Sequence, residues 1–163
     1  MRGLSFIIED ELYTADVTSV MKVIRNMAVT SVPAVSESVI GIINLKGMVV
    51  TILCLPALLG YKRKEKYGES DLVNAVIFKP LTDGSDQMGL LIDSPGELID
   101  IDDDEIQALP LNVSYEEKNT ISGLSNVDGR LYRIIDIISI VNRFSESSSV
   151  TAQNKQQEEH DEE

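Results

Sequence analysis

Gly41-Ile-Ile-Asn-Leu-Lys-Gly-Met-Val-Val-Thr-Ile-Leu-Cys-Leu-Pro-Ala-Leu-Leu59 decides how the chain is read, because a weaker copy returns 82 residues later as Gly123-Leu-Ser-Asn-Val-Asp-Gly-Arg-Leu-Tyr-Arg-Ile-Ile-Asp-Ile-Ile-Ser-Ile-Val141. Gly41 aligns with Gly123, Asn44 with Asn126, Gly47 with Gly129 and Ile52 with Ile134, and the apolar positions around them fall into register. A duplicated unit outranks local propensity in reading a fold, since each copy buries its apolar face against its neighbour. Each copy runs from apolar residues through an Asn-x-x-Gly turn into a β-branched run, the pattern of two strands joined by a hairpin. The expectation is an all-β protein of two small five-stranded barrels sharing a core.

The 163 residues allow one ordinary domain or two small barrels, and the duplication favours the barrels. Hydrophobic residues make up 43% of the chain but aromatics only 5%, without tryptophan, so the core is expected to be aliphatic. A net charge of −13 argues against nucleic acid and anionic membrane, both of which are bound through clustered Lys and Arg. No apolar run approaches the roughly 18 residues of a membrane-spanning helix, and no signal-peptide pattern opens the chain. The lone cysteine, Cys54, has no internal disulfide partner. These features predict a cytoplasmic protein.

Two short β-prone runs, Ser5 to Ile8 and Leu12 to Val17, bracket the acidic turn Glu9-Asp10-Glu11. Val17, Val20, Val23 and Ile24 are β-branched and read as a bent strand rather than a helix. Val32-Pro33 closes that segment, and Ser36-Glu37-Ser38 starts a short turn before the duplicated stretch. Ala75 to Phe78, a turn through Thr82-Asp-Gly-Ser-Asp86, and Met88 to Asp93 repeat the opening hairpin. Leu98, Ile99 and Ile101 stand where Val23 and Ile24 stood. Asp102 to Pro110 reads as one capped helical turn ended by proline, and Pro110 repeats Pro33. The resulting units are about 4–61 and 72–144, with exchange of strands between them possible. Charged residues 62–71 are read as the linker and 145–163 as a disordered acidic tail, too polar to offset its ordering entropy by burial.

Catalytic constellations are missing from this reading. His160 lies in the acidic tail, so no Ser-His-Asp or Cys-His pair can be held rigidly. Cys54, between Leu53 and Leu55, reads as a small core hydrophobe. Asp100, Asp102 and Asp104 alternate like the start of a calcium loop, yet Glu105 replaces the turn glycine and Leu111 the bidentate acid, so helix capping accounts for them better. The glycines match neither a phosphate-binding loop nor a dinucleotide fingerprint. Lys62-Arg-Lys-Glu-Lys66 is read as a solvated connection. A chain whose information goes into two aliphatic β units works by binding, with no enzyme activity, metal or cofactor expected.

Gly41 to Gly47 with the following strand and Leu58-Leu-Gly60, together with Val127-Asp-Gly-Arg-Leu131 and Ile134-Ile-Asp-Ile137, resembles the CheW-like coupling proteins of chemotaxis. The order and spacing carry the likeness across about residues 4–144, including Glu9 to Tyr13, Ile99 to Ile101 and Ile106 to Pro110. It implies two SH3-like five-stranded barrels with pseudo-twofold symmetry. It also implies a non-enzymatic adaptor that couples a chemoreceptor's cytoplasmic tip to the regulatory domain of a histidine kinase, recruited to membrane receptor arrays. Like domains would assemble there through their barrel ends. By this resemblance Val20, Pro95 and Leu98 fall at the receptor groove. Val17, Lys22, Val23, Gly89 and Gly123 fall at the kinase-facing surface, with Gly41, Asn44, Lys46 and Gly47 in a turn beside it.

The chain departs from the family pattern at several of these places. Lys46 stands where Arg is usual, and Lys lacks the planar fork of Arg. Lys22 replaces a common acid, which reverses charge on the presumed partner strand. Thr51, Cys54 and Pro56 replace the usual Pro, Asp and Arg, while Asp136 keeps the acid that Cys54 has lost. These changes leave open an adaptor for a pilus or developmental pathway. A small-barrel RNA-binding module is a more distant reading, disfavoured by acidity and few aromatics.

Overall fold

The computed structural model describes residues 1–32, 36–62, 71–84 and 86–144. The linker core at 63–70, Pro33 and the segment 145–163 lie outside the described residues. Ten strands are described: β1 (Arg2–Ile8), β2 (Glu11–Asp16), β3 (Val20–Ala28), β4 (Val39–Leu45), β5 (Met48–Leu53), β6 (Leu72–Phe78), β7 (Gln87–Ile92), β8 (Ser94–Asp100), β9 (Ile121–Val127) and β10 (Arg130–Ile135). Short helices α1 (Leu55–Leu58), α2 (Tyr115–Lys118) and α3 (137–144) follow β5, precede β9 and follow β10.

The strands form two five-stranded sheets, β8-β1-β2-β10-β9 and β3-β6-β7-β5-β4. Matching β1 to β6, β2 to β7 and so on turns one order into the other, which is the pseudo-twofold symmetry that the duplication predicts. Each sheet is antiparallel except for one parallel pair, β2 with β10 and β5 with β7. The sheets do not coincide with the halves 4–61 and 72–144. The first sheet takes β1 and β2 from the first half, the second takes β6 and β7 from the second half, and the halves exchange strands.

Hairpin geometry comes from the turn residues. Glu9 and Asp10, Lys46 and Gly47, and Asp128 and Gly129 all have positive φ, as the type I′ turn requires, and each pair is flanked by paired strand residues. The Gly47 N–H donates to Asn44 Oδ1 at 2.9 Å, which explains the Asn-x-x-Gly spacing. Strand β3 starts only at Val20, since Val17 lies in a 3-10 turn capped by the Asp16 carboxylate. The second 3-10 turn, Asp103–Glu105, is capped by Asp102 as expected but stops well before Pro110. Ile106 is already extended, and Gln107 bridges to Leu124 of β9.

The outer strands β3 and β8 each carry a register slip. In β3 the Asn26 N–H donates to Asn74 Oδ1; in β8 the Glu97 N–H donates to Ser5 Oγ, which returns its own proton to the Glu97 carbonyl. A side chain of the neighbouring strand thus replaces the lost ladder partner.

One aliphatic core is built from the second sheet and the residues that flank its strands, and includes Ile24, Val50, Ile52, Cys54, Ala75 and Ile77. A second is shared between the sheets, with Phe6 and Tyr13 from one, Phe78 and Leu90 from the other, and Leu55, Leu58, Ile137 and Ile140 from α1 and α3. Burying each such side chain contributes about 1.5–3 kcal/mol, so the shared cluster holds the barrels together. No helix among the described residues is long and apolar enough to cross a membrane.

Candidate partner-binding surfaces

Strand β3 and the β4–β5 turn enclose a hollow of about 810 Å³ lined by Met21, Lys22, Val23, Ile24, Arg25, Met27, and Asn44 through Met48. Five residues singled out from the sequence, Lys22, Val23, Asn44, Lys46 and Gly47, meet here from two separate stretches. Sequence reasoning missed Arg25 and the three methionines. The available signal was a run of unbranched, adaptable side chains in an otherwise β-branched strand; such residues suit surfaces that mould to a partner. Lys22, Arg25 and Lys46 all line the hollow, and among the described residues no carboxylate does.

The other barrel differs in sign at the matching turn. Asp128 occupies the β9–β10 turn with φ 52, the place that Lys46 takes with φ 51 in the β4–β5 turn. Glu97 and Asp100 are exposed on β8, and a hollow of about 290 Å³ is lined by Asp104, Glu105, Ile106, Gln107 and Asn126. The two surfaces thus differ in charge: cations line the hollow where β3 meets its turn, while the matching surface mixes Asp128, Glu97 and Asp100 with the exposed Arg130 and with Arg2, which lies 3.6 Å from Asp100.

Val20 and Pro95 stand opposite Phe78 and Phe6, which are both buried in the shared core, while Leu98 is 52% exposed on β8. These residues belong to the outer strands of the two sheets, next to the strands that enclose the shared core. Val17 is half-buried in its 3-10 turn.

The buried glycines sit in close packing. A Cβ on Gly89 would meet Ile77 Cδ1 at 2.7 Å inside the second barrel, and one on Gly123 would meet Ile106 Cγ2 at 2.8 Å. Gly41 is tighter still, because Thr30 crosses directly over it and its N–H and carbonyl both bond to Ile42. Gly89 and Gly123 are both buried, and each marks a close approach that only a missing side chain permits.

A slot of about 260 Å³ between β2 and α1 is lined by Glu9, Glu11, Tyr13, Pro56, Leu59, Tyr61, Glu117 and Arg133 among others. Arg133 Nη1 donates to Glu11 Oε2 at 2.6 Å and its guanidinium lies 6.0 Å from the Tyr13 ring centroid. Burial pushes the Tyr13 phenol above the usual tyrosine value; Arg133 opposes the rise and Glu11, Glu9 and Glu117 add to it. Among the described residues no cluster of His, Cys, Asp and Glu is arranged to hold a metal ion.

The described strands thus form a duplicated, strand-exchanged pair of barrels whose matching surfaces differ in charge. The family model of the CheW-like domain matches residues 2–145, and the chain belongs to that family. Its relatives include the chemotaxis protein CheW of Bacillus subtilis (strain 168), 24% identical over 148 residues covering 91% of each chain. CheW of Thermotoga maritima is 26% identical over 147 residues, covering 90% of this chain and 91% of that one. The crystal structure of scaffolding protein TtCheW from Thermoanaerobacter tengcongensis superposes with a TM-score of 0.69 at 26% identity, over 83% of this chain and 88% of that one. The chain is thus a non-enzymatic scaffold protein of the chemotaxis type.

Proposed function

We propose that the chain couples the cytoplasmic tip of a chemoreceptor to the regulatory domain of a chemotaxis-type histidine kinase by binding both, and does so in the cytoplasm at membrane receptor arrays. The observation that carries the kinase side is the hollow that joins Lys22 and Val23 to Asn44, Lys46 and Gly47. Its cations and methionines suit an acidic partner face with apolar groups, because complementary charge steers encounter and adaptable apolar contacts hold the complex. On the receptor side, Val20, Pro95 and Leu98 offer apolar groups on both outer strands, suited to a helix laid along them.

Calorimetric titration with the kinase regulatory domain from the same organism tests the reading. Micromolar or tighter one-to-one binding supports it; no binding by a folded protein overturns it. Leu98→Asp is expected to lose receptor-tip binding with the fold intact, since a charge would replace an exposed leucine in the apolar contact. Val20→Asp is the second variant, and normal binding by both removes the groove assignment.

A second reading is favoured by the two lysines. Lys22 and Lys46, both departures from the family pattern, share one hollow, so they alter one interface together. That favours a dedicated partner set, as in a pilus or developmental pathway. Normal complementation of a swimming strain lacking its coupling protein would count against this.

A further inference from the structure

We propose that the slot between β2 and α1 binds a small linear diamine, whose two ammonium groups answer the excess of carboxylates around it. Glu9, Glu11 and Glu117 line the slot against the single guanidinium of Arg133, which is already committed to Glu11 at 2.6 Å. The Glu9 and Glu117 side chains make no ion pair or hydrogen bond among the described residues. Tyr13 is the observation that points to a ligand. It is 6% exposed, its hydroxyl has no hydrogen-bond partner among the described residues, and the slot is the space it lines. Leaving a buried polar group unpaired is costly, and a donor entering the slot removes that cost. An ammonium carries three donors and no acceptor, so the phenol oxygen and the free carboxylates are its complement.

Size and charge choose among cations. A volume of about 260 Å³ lies below the about 300–1,000 Å³ of sites for drug-sized ligands, which limits the occupant to a small molecule. A metal ion needs convergent oxygen donors, and no cluster of His, Cys, Asp and Glu among the described residues is arranged to hold one. Two carboxylates without a partner call for two positive charges held apart, which a diamine has and a monoamine lacks. Ile8, Pro56, Leu59 and Ile121 give the methylenes between those charges an apolar wall, and the exposed Tyr61 offers a ring face to an ammonium. The acidic hollow at Asp104 and Glu105 is of similar volume, yet among the described residues its lining holds no aromatic ring and only Ile106 as an apolar side chain. It serves as an internal control for general attraction of cations to a chain of net charge −13.

Calorimetric titration of the full chain with diaminobutane tests this and needs no protein partner. One-to-one binding is expected, about tenfold weaker for butylamine, which keeps a single charge, and absent for butanediol. Tyr13→Phe keeps the ring stacked on Phe6 at 6.2 Å and removes only the hydroxyl, so it should weaken diaminobutane binding about tenfold. Glu117→Gln, at a half-buried position, should do the same and keeps the test valid should the Tyr13 variant fail to fold. Asp104→Asn/Glu105→Gln should leave binding within about twofold, because exposed charges at a distance are screened. Absent one-to-one binding, or binding that both slot variants leave unchanged, would overturn the proposal. So would an equal loss in Asp104→Asn/Glu105→Gln, which would make the attraction a property of the whole acidic surface. Tighter binding of Nα-acetyl-lysine amide than of diaminobutane would also overturn it, making a protein-borne lysine the occupant.

Discussion

The two barrels share strand order, I′ turns and the slipped outer strand, yet differ in filling and charge. The β3-β6-β7-β5-β4 barrel has an aliphatic interior, whereas Ser5, Thr14 and Ser125 are buried polar residues of the other sheet. The turn cation Lys46 is matched by Asp128, and the exposed β3 cation Arg25 contrasts with Glu97 on β8. Duplication has preserved what the backbone needs and released what solvent and partners see. Divergence at the surface gives the two halves of a pseudo-symmetric molecule different charge.

Glycine packing offers the largest effect by which to break this comparison. Gly41 and Gly123 occupy matching places, but a Cβ at Gly41 meets the Thr30 carbonyl oxygen, which belongs to the backbone and cannot swing away. At Gly123 the nearest atom is a terminal Ile106 methyl, with Gln107 O at 3.0 Å behind it. Gly41→Ala is expected to cost about 3 kcal/mol and Gly123→Ala about 1–2 kcal/mol, measured by urea unfolding of the two variants in parallel. Equal losses would mean that the two crossing segments are equally free to relax.

Charge reversal comes next. Lys22→Glu/Lys46→Glu should weaken kinase-domain binding about tenfold or more, and Asp128→Lys should leave that binding within about twofold, since distant exposed charges are screened. If both ends lose affinity alike, charge does not sort the partners.

Much of this arrangement was legible from the chain. The offset between Gly41 and Gly123 gave the two units, and Asn44 with Gly47 marked a turn whose φ of 85 at Gly47 only glycine adopts easily. Strand exchange was only admitted as possible, because period and turn chemistry are local whereas pairing β2 with β10 is a long-range choice made by burial. The family resemblance alone places Gly89 and Gly123 at a partner surface, and both are buried in close packing. A glycine in a strand reveals close approach but not whether a partner or the protein's own backbone approaches. Arg25 and the methionines were missed because one charge and three flexible side chains become a surface only when the strand lies beside the β4–β5 turn.

Helix entry distinguishes the copies by a smaller amount. Cys54 and Asp136 are matching N-cap residues, and their N–H groups donate to the matching carbonyls of Ser38 and Thr120. Asp136 also accepts from the Ser139 N–H at 3.1 Å and its hydroxyl at 2.8 Å, whereas the Cys54 side chain makes no cap bond and is buried in the aliphatic core. Asp136→Ala should cost about 1 kcal/mol, and Asp136→Asn should recover most of it, since Asn caps comparably. Thermal melting checks both. Failure of Asn to rescue would show that the charge of Asp136, not its cap bond, is what the second copy kept.

The smallest expected effect concerns the shared core, where β2 contributes Tyr13 and Ala15 and its counterpart β7 contributes Met88, Leu90 and Ile92. Only the β2 side therefore brings a titratable group to this boundary among these residues. Burial raises the Tyr13 phenol above its usual 10.0, outweighing the pull of Arg133 in the other direction. A folded-state value above the unfolded one means that the folded form holds its proton more tightly. The corresponding stability is fully present below the unfolded pKa and is lost as pH rises through the folded one. Arg133→Ala removes the one opposing charge, so Tyr13 should titrate higher still, read as phenolate absorbance with Tyr13→Phe as the reference. The loss of stability in alkali should then steepen in Arg133→Ala and flatten in Tyr13→Phe. A downward shift in Arg133→Ala would mean that water enters the slot once the guanidinium leaves, and that Arg133 seals the boundary between the barrels rather than merely charging it.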